Sequence, residues 1–298
     1  MTIRFDGKVA IITGAGNGLG RSHALQLAKL GAKVVVNDLG GSVDGTGGSS
    51  AAAEKVVAEI KAAGGQAIAN GSSITDKKGV ELLVKQAMDA YGRIDLLVNN
   101  AGILRDKSFS KMSLEDFQLI VDVHLMGAVY VTKAVWPIML EQNYGRIVMV
   151  TSGSGLFGNF GQTNYAAAKL GQVGLMNALK QEGRKYNIKV NTLAPIAATR
   201  MTESIMPPQA LEALKPELVT PAVLFMLSED APTGAIITAG AGFFAAVKTI
   251  EAEGMLIPGA VSVDDVAANW DRISDFSKHV TYESVNDGTS RVFKLLKG

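Results

Sequence analysis

The chain has no cysteine among its 298 residues. Disulfides, thiolate nucleophiles and cysteine-held metals are therefore excluded, and a reducing compartment is expected. Neither charge sign is in excess: 29 basic and 28 acidic side chains leave a net charge of +1. Nothing is spare to neutralise a phosphate backbone, so nucleic acid is not an expected partner. No apolar run is expected to reach the length of a membrane span, and residues 1–7 lack the apolar stretch of a signal peptide. The last residues carry no recognisable address or lipidation signal. The expectation is a cytoplasmic protein with no membrane partner. Charged residues make up only 19% against 47% hydrophobic, which supplies a sizeable core and argues against disorder.

Short β-rich runs alternate with longer helical stretches. The runs are 9–13, 33–37, 66–69, 96–99, 146–151, 189–193 and 235–238, most of them nearly continuous in apolar residues. That is the pattern of strands buried on both faces. Helix-like segments fall at 19–30, 50–63, 77–91, 114–141, 164–186 and 217–227. The alternation predicts an α/β fold, with a doubly wound parallel sheet carrying helices on both faces. One domain is expected over residues 1–242. Residues 243–298 form an extension, helical around 264–275, expected to pack on the domain or on a neighbouring subunit. Two insertions interrupt the pattern: a Gly/Ser-rich stretch at 39–50, and 194–216 with Pro195, Pro207, Pro208 and Pro216.

Residues 9–20 read V-A-I-I-T-G-A-G-N-G-L-G: a strand, a glycine turn, then a helix. Gly14 allows the tight turn; Gly18 and Gly20 allow close approach and packing. The helix amides and its positive end then face a pyrophosphate. A lone glycine pattern also serves ordinary turns, but here the strand and helix context are both present. Asp38 ends the second strand about 20 residues later, where a carboxylate accepts hydrogen bonds from ribose hydroxyls. Beside a 2′-phosphate each like-charge pair would cost roughly 4 kcal/mol at ~4 Å and an effective dielectric of about 20. The expected cofactor is NAD rather than NADP. The less favoured alternative for Asp38 is a surface aspartate starting a turn before Gly40.

Tyr165 and Lys169 are spaced i, i+4 near the start of a helix, on one face. A phenol of pKa about 10 is a poor base at neutral pH. An ammonium ~4 Å away offers roughly 4 kcal/mol, about three pKa units. Alone, the pair also describes a packed ring beside a solvated lysine. Ser152 lies thirteen residues earlier, just past an apolar run. Ser152, Asn99 and the glycine turn all fall at carboxyl ends of strands, where open α/β sheets hold their sites. Ser152 is suited to polarising a carbonyl oxygen; Ser154 competes, and a cap serine is the plain alternative.

T-G-A-G-N-G-L-G at 13–20, N-N-A-G at 99–102, Ser152 and Y-A-A-A-K at 165–169 occur in the order and spacing of the short-chain dehydrogenases. Over about residues 5–242 the chain resembles that family. The resemblance implies strand order 3-2-1-4-5-6-7, Tyr165 as acid/base, Ser152 and Tyr165 holding substrate, and Lys169 lowering the phenol pKa and binding ribose. It places Asn99 and Ala101 beside the adenosine half of NAD. It further implies that Gly14, Asn17, Gly18, Leu19 and Gly20 meet the cofactor, with Asp38, Ser73, Ile74 and Gly102 further along. Near the nicotinamide it implies Pro195, Ala198 and Thr199.

A narrower resemblance rests on V-N-D-L-G-G at 36–41, N-N-A-G-I-L-R-D at 99–106, G-N-F-G-Q at 158–162, E-G-R-K at 182–185 and L-K-P-E at 214–217. These are similar to the dehydrogenase units of peroxisomal multifunctional enzymes of type 2. The implied reaction is NAD-dependent oxidation of a (3R)-3-hydroxyacyl-CoA, fatty or steroid side-chain, to the 3-oxoacyl-CoA. A homodimer or a tetramer is implied. The alternatives are a 17β-hydroxysteroid dehydrogenase, a 3-oxoacyl-thioester reductase, or a non-catalytic NAD(H)-binding regulator. Three positions depart from the wider family. His124 stands where asparagine is usual and either relays protons or fills space. Ser72 replaces an aspartate, and Ile196 replaces the glycine after Pro195. Met201, Ile205, Met206 and Leu211 either close over an apolar substrate or belong to the core. Arg105, Lys107 and Lys111 either meet CoA phosphates or are scattered surface charges.

Overall fold

A computed structural model describes residues 3–198 and 208–297. The contacts divide the chain into two compact units, Met1–Ala246 and Val247–Gly298.

The first unit is built on β1 (Val9–Thr13), β2 (Lys33–Asn37), β3 (Gln66–Asn70), β4 (Leu96–Asn99), β5 (Gly145–Val150), β6 (Ile188–Pro195), β7 (Ile236–Gly240) and β8 (Phe243–Val247). They form one sheet in the order β3-β2-β1-β4-β5-β6-β7-β8. The first seven follow the expected order and pair in parallel. β1, β4 and β5 are buried at every residue, which is why their sequences are runs rather than alternations. The eighth strand lay beyond the expected domain boundary. Its two-residue connection to β7, Ala241 and Gly242, has φ of 51° and 78°. Two consecutive positive φ values make a type I′ hairpin turn, which folds β8 back antiparallel on the edge.

The helices between strands are α1 (Gly18–Lys29), α2 (Ala51–Ala62), α3 (Lys77–Tyr91), α4 (Leu114–Val121), α5 (Gly127–Gln142), α6 (Gly153–Phe157), α7 (Thr163–Gly183), α8 (Pro208–Ala213) and α9 (Thr220–Leu227). Their ends follow local chemistry. Asp76 caps α3, accepting from the amides of Lys78 and Gly79, and Gly92 ends it at φ 73°. Ser113 caps α4 through the Asp116 amide. The single helix expected over 114–141 is interrupted: α4 and α5 are joined by a widened π turn, Asp122–Met126. With that turn the run Leu114–Gln142 is long and apolar enough, by length and composition, to cross a membrane. This corrects the expectation that no run reaches that length. The run is apolar because it packs as a core helix: Ile120, Val131, Val135 and Met139 are fully buried.

The strand order reverses between β2-β1 and β4-β5, so a crevice opens at the carboxyl ends of β1 and β4. The amino ends hold a separate set of buried charges. Arg146, the second residue of β5, is 1% exposed. Its Nε donates to the Ser228 carbonyl, Nη1 to the carbonyls of Gly145 and Asn187, and Nη2 to Asn187 Oδ1 and Glu229 Oε2. Asp95, before β4, accepts from the Val9 amide and from both Nε and Nη2 of Arg93.

The second unit pairs β9 (Glu251–Ala252) antiparallel with β10 (His279–Val280) and carries α10 (Val263–Ala268), α11 (Trp270–Ile273) and α12 (Val285–Leu296). Capping boxes of Ser262 with Asp265 and of Ser284 with Asp287 start α10 and α12. Arg291 ties α12 to the Glu251 carboxylate. α12 leaves Val285, Val292, Phe293 and Leu296 exposed.

Candidate active site

A cavity of about 790 Å³ occupies the crevice, in the range of small-molecule sites. One end is made of main chain. Thr13 ends β1, and Gly14 turns the chain at φ 63°. A Cβ on Gly14 would lie 2.7 Å from the Ala101 Cα, so only glycine permits this approach. Thr13 Oγ1 accepts from the amides of Asn100 and Ala101, and Asn100 Nδ2 donates to the carbonyls of Thr13 and Gly14. Asn17 has extended backbone and makes no side-chain cap on α1. The first-turn amides of α1 are thus left to whatever enters, which is an anion-binding end. Asp38 draws the turn against β2: Oδ2 accepts from the Gly16 amide and Oδ1 from the Gly40 amide, each at 2.7 Å. Both oxygens retain acceptor capacity.

Asn17, Gly18, Leu19, Asp38, Ser73, Ile74, Ala101 and Gly102 line the cavity with Gly14. Gly20 does not; it packs the first turn of α1 on the Gly14 carbonyl and Asn100. Asn99 lies behind the wall, its Nδ2 on Thr132 Oγ1 at 3.0 Å, while the neighbouring Asn100 lines the cavity. Consecutive side chains leave a strand on opposite faces, so Asn100 rather than the expected Asn99 turns its side chain to the cavity. Leu39, Gly41, Ser42, Val43 and Gly45, not expected from the sequence, form a wall. The Leu104 amide bonds the Val43 carbonyl and Arg105 Nε the Asp44 carbonyl, fixing that glycine-rich insertion in place.

The other end is made of side chains. Ser152 follows β5 and caps α6, accepting from the Ser154 amide. Tyr165 and Lys169 stand one turn apart on α7, with Nζ 5.5 Å from the ring centroid. Lys169 is 2% exposed and donates to the Val150 carbonyl at 2.6 Å. Burial pushes its amine down to about 7. The sequence argument expected this ammonium to draw the phenol toward neutrality. In the unliganded protein burial prevails instead, and Tyr165 is pushed up to about 12. A hydrogen bond from Ser152 works the other way, and the charge of Asp106 adds to the rise. Burial acts on both groups, raising the phenol and lowering the amine whose charge was expected to oppose that rise.

His124 sits in the π turn, its ring edge-on to Tyr165 with centroids 5.0 Å apart. Nε2 is 2.7 Å from the Ile103 carbonyl and 3.2 Å from its amide. The shorter contact makes Nε2 the donor and leaves Nδ1 a buried acceptor without a partner. Burial, then the nearby Lys169, hold the imidazole well below its usual range, so the ring is neutral. Gly102 makes room for it: a Cβ there would meet His124 Cε1 at 2.3 Å. Gln172, unnoticed in the sequence, donates to the His124 carbonyl at 2.6 Å. It takes the acceptor that the widened turn releases.

Pro195, Ile196 and Ala197 line the cavity; Ala198 does not, its amide bonding the Leu214 carbonyl. Thr199, Met201, Ile205 and Met206 lie outside the described residues. Arg105 and Lys107, candidates for CoA phosphates, are both engaged by Asp116. Lys111 is exposed on the turn before α4. Among the described residues no cluster of His, Asp and Glu is placed to hold a metal. The arrangement suits moving a proton at an oxygen held between Ser152 and Tyr165, beside an end built to take an anionic, ribose-bearing ligand.

Comparison with known proteins points the same way. The family described as short chain dehydrogenase matches residues 8–210. Peroxisomal multifunctional enzyme type 2 of Mus musculus is 48% identical over 99% of this chain, which spans 40% of that enzyme's length. A protein of Mycobacterium tuberculosis named as a short-chain type dehydrogenase/reductase is 52% identical, covering 91% of this chain and 95% of its own. Among solved structures, 7α-hydroxysteroid dehydrogenase complexed with NADH and 7-oxo glycochenodeoxycholic acid superposes with a TM-score of 0.72. It is 32% identical, covering 80% of this chain and 95% of its own.

Proposed function

The chain belongs to the short-chain dehydrogenase family, and from that premise we propose that it oxidises a secondary alcohol to a ketone with NAD⁺. The substrate we infer is a (3R)-3-hydroxyacyl-CoA, fatty or steroid side-chain, giving the 3-oxoacyl-CoA. The observation that carries the reading is that Ser152, Tyr165 and Lys169 converge on the same cavity as the glycine turn and Asp38. The mouse relative supports the substrate class, since nearly the whole of this chain matches it.

The residues fit the cofactor. Uncapped α1 amides suit its pyrophosphate, and the close approach at Gly14 gives backbone access. Asp38 suits ribose hydroxyls and opposes a 2′-phosphate. NAD⁺ bound there supplies the hydride acceptor. Lys169 has one N–H on Val150, which leaves two donors for hydroxyls in the cavity. Ser152 holds the carbinol oxygen and Tyr165 exchanges its proton. With the phenol raised to about 12, Tyr165 is an acid at neutral pH in the unliganded site. Carbonyl reduction uses that form directly. Alcohol oxidation needs the phenolate, whose fraction grows with pH, so the oxidative rate rises and the reductive rate falls as pH increases.

A panel assay of NAD⁺ and NADP⁺ against 3-hydroxyacyl-CoAs and hydroxysteroids tests the reading. NAD⁺-linked turnover of the thioesters is expected. Turnover of steroids alone would transfer the assignment to a hydroxysteroid dehydrogenase, which the solved structure of the 7α enzyme favours. Preference for NADPH would favour a reductase, and binding of NADH without turnover a regulator.

Assembly is proposed on the same footing. Leu114 and Leu170 are exposed on α4 and α7, and we propose that the helices over 114–141 and 164–186 pair in a homodimer. The extension expected after residue 242, whose first strand β8 stands in the sheet, is proposed to pack on the domain or on that partner. A monomer by light scattering would refute the pairing. The cytoplasmic placement read from the sequence is likewise a proposal, tested by cell fractionation.

A further inference from the structure

Three consecutive charged residues follow the cavity-lining loop after β4: Arg105, Asp106 and Lys107. Arg105 and Lys107 both meet Asp116, at 2.8 and 3.0 Å. Asp106 lines the cavity together with Ser152 and Tyr165. Among the described residues no cation pairs with it. Its Oδ2 accepts from Gln162 Nε2 at 2.6 Å. Gln162 Oε1 in turn accepts from Ser154 Oγ at 2.7 Å and Asn159 Nδ2 at 2.9 Å. The carboxylate is thus oriented but not neutralised.

We propose that Asp106 is a specificity-determining residue that makes the site reject a free carboxylate next to the reacting carbinol and accept the neutral thioester or ester. A 3-hydroxy acid and its thioester present the same carbinol and differ in one charge two carbons away. An uncompensated carboxylate on the cavity wall separates them by like-charge repulsion, while the apolar contacts of the two are shared. Asp106 shares the cavity wall with Ser152 and Tyr165, and its charge accordingly works to raise the phenol. The groups facing Tyr165 there are His124, which is neutral, Lys169, Ser152 and Asp106. The substrate class named here rests on the function proposed above.

The test compares ethyl 3-hydroxybutyrate with 3-hydroxybutyrate as NAD⁺-linked substrates of the wild type, Asp106→Asn and Asp106→Glu. The wild type should prefer the ester. Asp106→Asn should lower the ester-to-acid ratio of kcat/KM by about fivefold to tenfold, mainly through KM for the acid. Asp106→Glu should keep the preference. Salt at high concentration should narrow the wild-type ratio and leave that of Asp106→Asn unmoved, because only a charge effect is screened. Calorimetric titration of ethyl acetoacetate and acetoacetate into the NAD⁺-loaded protein, which has no hydride to give a ketone, reads the same ratio without turnover. Loss of hydroxyacyl-CoA turnover in the wild type would therefore sink the substrate assignment and leave this ratio readable. A wild type that binds acid as well as ester, an unchanged ratio in Asp106→Asn, or an equal fall in Asp106→Glu would overturn the role of Asp106.

Discussion

Strand β5 carries buried cationic chemistry at both of its ends, and the two ends treat it oppositely. At the amino end all five Arg146 N–H donors are engaged, and the nearby Asp95 is bridged by Arg93 and a main-chain amide. At the carboxyl end Lys169 has one acceptor, His124 has an orphan ring nitrogen, and Tyr165 is held far from its ionised form. Full pairing makes a charge structural; incomplete pairing leaves capacity for a ligand and shifts a group toward a usable range. The same sheet supports both because connections at the amino ends are packed, whereas the reversal in strand order holds the carboxyl ends apart.

Three substitutions sharpen this contrast. Tyr165→Phe removes the proton carrier and keeps the ring, so turnover should fall by about 10³-fold while melting temperature and NADH affinity hold. Steady-state kinetics with a thermal melt and a fluorescence titration check it; a collapse in stability would make the carboxyl end structural too. Arg146→Ala should do the reverse. Leaving the carbonyls of Ser228, Gly145 and Asn187 and the Glu229 carboxylate without their donor should cost about 3 kcal/mol in a denaturant melt, with kcat of the remaining folded enzyme little changed. Lys169→Met should abolish ribose and phenol support yet stabilise the fold at pH 6 by about 1–2 kcal/mol. The sign follows from the amine's folded value of about 7, below its ordinary 10.5. Below pH 7 both states hold the proton and the fold bears the whole cost of a buried charge. Between pH 7 and 10.5 the unfolded chain binds a proton that the folded chain does not, so wild-type stability from this group rises with pH. The gain from Lys169→Met should therefore fade by pH 10.

The parts built from chain path were legible in the sequence. β1, β2 and β4 fall where their apolar runs put them, and α3 starts at its aspartate and stops before its glycine. Gly14, Asp38, Ser152, Tyr165 and Lys169 all come to one cavity. What was not legible depends on contacts between distant segments. The π turn has no composition of its own, because it exists where His124 packs under Gly102 and Gln172 reaches its carbonyl. The phenol's direction of shift was misjudged because sequence spacing gives the Lys169 charge but not the burial that weakens it. β8 escaped notice because its residues are partly exposed and its turn uses alanine at positive φ.

The π turn has one more consequence. A widened turn holds one residue more than the α-helical turn it replaces, so α5 keeps the rotational phase it would have after a helix one residue shorter. Thr132 still meets Asn99, and Val131, Val135 and Met139 still face inward. The position bearing His124 is in that sense surplus to the helix. Deleting His124 should therefore keep α5 in register while removing the ring beside Tyr165 and its bond to the Ile103 carbonyl.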